Sequence, residues 1–82
     1  MNHNKEDGGL IVYPNPTNSK IHIDYNNIDN SQIVIYNIFG QKIIEKSKSN
    51  TIDLSAYNKG LYLMVLTDKK KEISYSRMIV LN

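Results

Sequence analysis

The longest apolar run in the chain is Gly60-Leu61-Tyr62-Leu63-Met64-Val65-Leu66, and it limits the fold more than any other stretch. A helix needs roughly 20 apolar residues to cross a bilayer, so this run is too short to span a membrane. A glycine opens the run, polar residues 67–71 close it, and it contains Tyr and Val, which favour strands. We therefore predict a strand that is buried on both faces and lies at the centre of a sandwich.

Shorter strands are predicted before and after this run. Residues 20–25 alternate between apolar and polar side chains, with Ile21, Ile23 and Tyr25 on one face, which is typical of a half-exposed antiparallel strand. Turn-forming residues recur every 8–12 positions, and no helical periodicity exceeds one turn. The pattern predicts an all-β fold, an Ig-like antiparallel β-sandwich of about seven short strands. The predicted strands are residues 10–13, 20–25, 32–38, 42–46, 51–54, 60–66 and 72–81.

Two turns have specific chemistry. Pro14 and Pro16 flank Asn15, and because each proline fixes its φ angle and lacks a backbone donor, we predict a rigid loop at a strand end. Gly40 lies between two predicted strands and is expected to adopt a positive φ at the tip of a β-hairpin.

The last predicted strand has apolar residues on both faces. Tyr75, Arg77, Ile79 and Leu81 share one face, and Met78 and Val80 lie on the other, where we expect them to be core residues. A terminal strand is often an edge strand, with unpaired backbone groups that a partner strand can bind. We therefore expect strand addition at this edge, and an edge-strand dimer is left open.

Composition excludes several classes of protein. The chain has 82 residues, no cysteine and a net charge of +2, with 10 basic and 8 acidic residues spread along it. It is therefore one domain, it has no disulfide framework, and its charge is too balanced to indicate nucleic-acid binding. Residues 1–9 are polar and contain no signal peptide, so we expect them to be a disordered linker or residues added for expression.

The sequence contains no catalytic motif. The only histidines are His3 and His22, which are far apart, and His22 is predicted to point outward from its strand. Four aspartates lie at predicted strand ends or turns, where carboxylates accept backbone hydrogen bonds: Asp24, Asp29, Asp53 and Asp68. No glycine-rich phosphate loop or metal-binding spacing is present. We expect the chain not to be an enzyme and to need no cofactor or metal.

The order of the landmarks carries a resemblance to a known family. The sequence resembles the C-terminal sorting domain of the type IX secretion system of Bacteroidetes, also called the Por secretion system, over residues 10–82. The landmarks are Val12-Tyr13-Pro14-Asn15-Pro16, Val34-Ile35-Tyr36-Asn37-Ile38-Phe39-Gly40-Gln41, Ile52-Asp53-Leu54-Ser55, Gly60-Leu61-Tyr62-Leu63 and Arg77-Met78-Ile79-Val80.

The resemblance implies a sorting signal and not an activity. Such domains carry a fused N-terminal cargo through the outer-membrane translocon and are then removed by a sortase-like peptidase, which releases the cargo or attaches it to surface lipopolysaccharide. The implied partners are the translocon, outer-membrane shuttle and sortase-like proteins and the cargo domain. The implied route runs through the periplasm of a Gram-negative bacterium to the cell surface or the medium.

The resemblance also implies roles for particular residues. Recognition by the secretion machinery is expected at Arg77, Met78, Ile79, Val80, Leu81 and Asn82. Pro14, Asn15, Pro16, Gly40, Gly60 and Tyr62 are structural landmarks, and Gly8 and Gly9 lie in the expected cleavage region.

Two other functions fit a small β-sandwich, because fold does not determine function. One is a carbohydrate-binding or adhesion module of a bacterial surface protein, for which Tyr13, Tyr25 and Tyr57 are the candidate sugar-facing residues. Such modules usually expose a planar set of aromatic residues that includes Trp, and this chain has no Trp. The other is a fibronectin-type spacer. The order of the landmarks favours the sorting domain over both.

Overall fold

The computed structural model describes residues 8–82, and it has seven strands in two antiparallel sheets. The predicted all-β sandwich is therefore confirmed. The part of the predicted linker at residues 1–7, His3 included, lies outside the described residues. The strands are β1 (Ile11–Tyr13), β2 (Lys20–Asp24), β3 (Ser31–Tyr36), β4 (Lys42–Ser47), β5 (Thr51–Asp53), β6 (Gly60–Asp68) and β7 (Ile73–Leu81), and a single 3₁₀ turn (Ile28–Asn30) precedes β3.

One sheet has three strands in the order β1-β2-β5, and the other has four in the order β4-β3-β6-β7. The core lies between them, where side chains that alternate along each strand meet from the two sheets. Its fully buried members are Ile21, Ile33, Ile35, Ile52, Leu54, Met64, Leu66 and Ile79.

The hairpin around Gly40 is confirmed. β3 pairs with β4, and Gly40 at the tip has a φ of +79°. The Asn37 side chain stabilises the turn, because its Oδ1 accepts hydrogen bonds from the backbone N–H groups of Phe39 at 2.9 Å and Gln41 at 3.0 Å.

The prediction for the central apolar run was half wrong. β6 does lie inside its sheet, between β3 and β7, but only one of its faces is buried. Met64 is fully buried, whereas Leu61 is 48% exposed and Leu63 36% exposed. The reason is the two-residue period of a strand: one face packs on the three-stranded sheet, and the other has no sheet above it.

The same geometry corrects the prediction that Met78 and Val80 are core residues. In the β6–β7 register, Ile79 lies opposite Tyr62 and Arg77 opposite Met64, so the odd-numbered residues of β7 share the core face. Met78 and Val80 therefore point to the outer face, where Met78 is 55% exposed and Val80 is half-buried.

Candidate functional site

The terminal strand β7 is an edge strand of the four-stranded sheet, as expected. Its core-facing residues Ile79 and Leu81 are buried, and Arg77 is half-buried at the sheet edge. The guanidinium of Arg77 donates hydrogen bonds to the backbone carbonyls of Ser76 at 2.8 Å and Leu10 at 3.2 Å. Arg77 thus contacts the N-terminal end of the described chain as well as its own strand.

Residues 15–17 cover the outer edge of the C-terminal half of β7. The Asn15 side chain lies against this edge like a paired peptide unit: Nδ2 donates to the Met78 carbonyl at 2.7 Å, and Oδ1 accepts from the Val80 N–H at 2.9 Å. Thr17 continues the pairing, because its N–H donates to the Val80 carbonyl at 2.9 Å and its carbonyl accepts from the Asn82 N–H at 2.8 Å. We name this the 15–17 clasp.

The clasp contradicts the expectation that a partner adds a strand along residues 77–81. Edge strands accept a partner through unpaired N–H and C=O groups. The outward backbone groups of Val80 and the Met78 carbonyl already have partners within the domain. Asn15, which makes two of these hydrogen bonds, lies between the predicted landmarks Pro14 and Pro16. The peptide bond before each proline is cis.

Replacing Asn15 with Ala is expected to release the Val80 amide. Neighbouring residues of a strand point their N–H groups to opposite sides, so the Ile79 and Leu81 amides face β6 and should stay protected. Without the clasp bond, the Val80 amide should exchange its hydrogen about tenfold faster or more. Hydrogen exchange measured by NMR checks this, with Asn18→Ala in the same exposed loop as the control. Equal Val80 protection in both variants would contradict the clasp.

The N-terminal junction is packed onto the same strand. Gly8 and Gly9 form a turn with φ values of +64° and +76°, in the region that favours glycine. A Cβ atom on Gly8 would lie 2.8 Å from Cε1 of Tyr25 and 3.1 Å from the Tyr75 hydroxyl. The expected cleavage region at Gly8 and Gly9 is therefore a half-buried turn against the sandwich.

A buried carboxylate lies beside this junction. The Asp68 side chain accepts hydrogen bonds from the Tyr25 hydroxyl at 2.5 Å, from Asn27 Nδ2 at 3.2 Å and from the N–H groups of Lys70 and Lys71 at 3.0 Å each. The Tyr25 hydrogen bond is the main cause that lowers the pKa of Asp68 below its ordinary value. Burial, followed by the bond to Asp68, raises the pKa of Tyr25 well above its ordinary value.

The other predicted landmarks are structural. Gly60 begins β6 with a φ of +148°. The buried ring of Tyr62 belongs to the core and lies opposite Ile79 in β7, while its hydroxyl donates to the Asn58 carbonyl. Of the candidate sugar-facing residues, Tyr25 is buried, and the Tyr57 hydroxyl donates to the Ile43 carbonyl at 3.2 Å. Tyr13 is exposed and packs on His22, with 5.4 Å between the ring centroids.

Sequence reasoning placed Asp68 at a strand end, where it accepts the backbone hydrogen bonds of Lys70 and Lys71, but it missed the clasp and the bond from Tyr25. Asn15 and Val80 are 65 residues apart, and Tyr25 and Asp68 are 43 apart, so no local pattern connects them. The only signal for the burial of Asp68 is its place on the alternation of β6, in phase with Met64 and Leu66.

Within residues 8–82, no three His, Cys, Asp or Glu side chains come together in a way that could hold a metal ion. None of the helical structure in this range is long and apolar enough to cross a membrane.

The comparison with solved structures identifies the fold. A chain of PorZ, described as an essential bacterial surface component of the type IX secretion system of Porphyromonas gingivalis, superposes with a TM-score of 0.74 at 18% sequence identity. The match covers 95% of this chain and 12% of that one, so the present chain corresponds to a small part of that protein. The comparison with curated proteins gave no match.

The comparison with family models identifies the family. The model described as "Secretion system C-terminal sorting domain" matches residues 11–81, which is nearly the whole chain. The match includes the clasp, the hairpin at Gly40, the central strand and the terminal strand. The chain therefore belongs to the family of secretion system C-terminal sorting domains, and it is a sorting signal for type IX secretion to the cell surface or the medium.

Proposed function

We propose that this chain directs a cargo protein, joined to it before Gly8, from the periplasm through the type IX translocon, and that a peptidase then removes the chain. The observation that carries this proposal is the packing of the N-terminal junction onto the terminal strand. Gly8 lies against Tyr25 and Tyr75, and Arg77 holds the Leu10 carbonyl. The sandwich thus includes every residue from Gly8 onward, and a cargo joined before it remains a separate unit.

The same packing bears on where the cargo is cut. A peptidase needs its substrate in an extended conformation, and residues with a positive φ in a half-buried turn do not offer one. We place the cleaved bond on the N-terminal side of Gly8, outside the Gly8–Gly9 turn. The proposal gives the chain itself no catalytic step. His22 is exposed, and it contacts the ring of Tyr13 and the hydroxyl of Thr51.

The intact mass of an exported cargo tests this placement. A fluorescent protein is fused before residue 1 and expressed in a strain with a working type IX system. We expect a released cargo that ends within residues 1–7 and contains no part of the sandwich. A cargo that ends after Gly9, or that retains residues 8–82, would contradict the placement.

The terminal strand is proposed to carry recognition, as the family resemblance implies for Arg77, Met78, Ile79, Val80, Leu81 and Asn82. Ile79 and Leu81 are buried, and Arg77 is held by two carbonyls. Within β7, Met78 and Val80 are the residues of this set that point to the outer face. Recognition by contact is therefore proposed at Met78, Val80 and Asn82, with Arg77 as a positioning residue.

Arg77→Glu tests this division of roles. Reversing the charge removes the guanidinium's hydrogen bonds to the Ser76 and Leu10 carbonyls, so we expect export to fall about tenfold or more while the domain still folds. Lys69→Glu, which makes the same change of charge in an exposed turn, should be exported normally. Melting curves of both purified variants show whether the fold survives. Normal export of a folded Arg77→Glu variant would contradict the positioning role.

A further inference from the structure

Exposed apolar side chains gather at one end of the outer face of the four-stranded sheet. Phe39 at the hairpin tip is 81% exposed, and its neighbour Ile38 is also exposed. Leu61 and Leu63 on β6 and Met78 on β7 complete the cluster. Single exposed apolar residues are common, but a contiguous group indicates a binding surface.

All of these side chains except that of Phe39 line a groove of about 510 Å³, which we call the apolar groove. Tyr36, Ile38, Leu61, Leu63 and Met78 form its walls. A second depression of about 220 Å³ adjoins it, shares Ile38 and Leu61 with it, and extends towards Lys59. The concave surface therefore suits inserted side chains better than a flat surface does.

The other end of the same face is polar. Gln32, Thr67 and Ser74 lie side by side across β3, β6 and β7, and the hydroxyls of Thr67 and Ser74 are 2.9 Å apart. A partner is therefore expected to contact one end of this sheet and not its whole face.

Two occupants from the chain itself are disfavoured. A stable dimer buries about 20–30 residues on each side, whereas the groove is lined by 8 residues and the surface beyond it is polar. The residues before Gly8 are polar apart from Met1. Gly8 also packs near Tyr75, which lies opposite Leu66, about 17 Å along β6 from Leu61.

We propose that the apolar groove binds a short apolar segment of a protein of the secretion machinery in a transient complex. This inference rests on the proposed function and adds a surface to it. Met78 connects the groove with the terminal strand that is proposed to carry recognition. Its side chain forms a wall of the groove, and the 15–17 clasp holds its backbone through the 2.7 Å hydrogen bond from Asn15. A flexible, polarizable methionine adapts well to an inserted apolar side chain.

The test compares two double variants of the fluorescent fusion. Ile38→Ser with Met78→Gln makes the groove polar, and both residues are mostly exposed, so the fold should survive. Ile11→Thr with Ile73→Thr is the matched control, because these residues are 54% and 41% exposed but lie outside the groove. We expect export to fall about tenfold or more for the groove variant and to remain normal for the control. If the double variant does not fold, Ile38→Ser alone is tested in the same way.

The outcomes separate the two proposals. If the folded groove variant loses export and the control variant does not, the result supports the groove as the docking surface. Normal export of the groove variant overturns the inference and leaves the sorting function intact, whereas failure of the unsubstituted fusion overturns both. A dimer in light scattering that the groove substitutions convert to a monomer would assign the surface to a second copy. Binding to phosphatidylethanolamine–phosphatidylglycerol vesicles that the same substitutions abolish would assign it to lipid, and either result overturns the inference.

Discussion

Met64→Ala is expected to lower the free energy of unfolding by about 2–5 kcal/mol, the range measured when a buried Met is truncated. Met64 is fully buried at the centre of β6. Because native domains have a total stability of about 5–15 kcal/mol, the variant should lose a large fraction of its stability. Urea denaturation followed by circular dichroism measures the loss.

Leu63→Ala is the matched control for this substitution. Leu63 is the next residue of the same strand, but it points to the outer face. Its truncation should cost less, about 1–2 kcal/mol, because 36% of its surface is already exposed and no closed cavity forms. Equal losses at the two positions would contradict the one-sided burial of β6.

Tyr25→Phe is expected to destabilise the domain by about 1.5–3 kcal/mol, because it removes a buried hydrogen bond to a charged group. The ring and its packing on Tyr75, at a centroid distance of 5.8 Å, are retained. The melting temperature should fall by about 4–8 °C for each kcal/mol lost. Tyr57→Phe is the control, because its half-buried hydroxyl binds a neutral carbonyl and should cost about 1 kcal/mol or less.

The effect of Tyr25→Phe should depend on pH. The pKa of Asp68 is lowered in the folded protein, so its stabilising contribution is present above the ordinary aspartate pKa of about 3.9 and is lost as the pH falls through the lower folded value. The pKa of Tyr25 is raised, so its contribution is present below about pH 10 and is lost as the pH rises above that value. The difference in melting temperature should therefore be largest between about pH 5 and 9 and smaller on both sides. A constant difference from pH 2 to 9 would contradict the role of the Asp68 carboxylate.

Local patterns predicted the strands and the hairpin. The alternation at residues 20–25 and the glycine between two apolar segments each specify a backbone geometry from neighbouring residues, and the structure has β2 and the β3–β4 hairpin there. The number of strands and the two-sheet fold followed from the regular spacing of the turns.

The burial of β6 and β7 was harder to predict, for a physical reason. Periodicity reports burial only when the two faces of a strand differ in polarity. Leu61 and Leu63 are as apolar as Met64, and Met78 and Val80 are as apolar as Ile79, so the pattern could not distinguish an exposed apolar face from a core. The exposed face is the one that forms the apolar groove, where binding and not folding accounts for the apolar residues.

The site depended on contacts between distant parts of the chain. Asn15 could be assigned to a loop from its two prolines, but its pairing with Met78 and Val80 depends on how β7 and the loop meet in space. The same holds for Arg77, whose partner Leu10 is 67 residues away. Family resemblance pointed to these residues together, and the structure supplies the hydrogen bonds that connect them.

Export of a cargo that carries this chain tests the central claim most directly. A fluorescent protein with and without residues 1–82 at its C-terminus is expressed in two strains that differ only in the type IX translocon, and the cargo outside the cells is measured. We predict export only of the fusion and only in the strain with the translocon. Export of the fusion from the strain without the translocon, or retention of the folded fusion by both strains, would contradict the account.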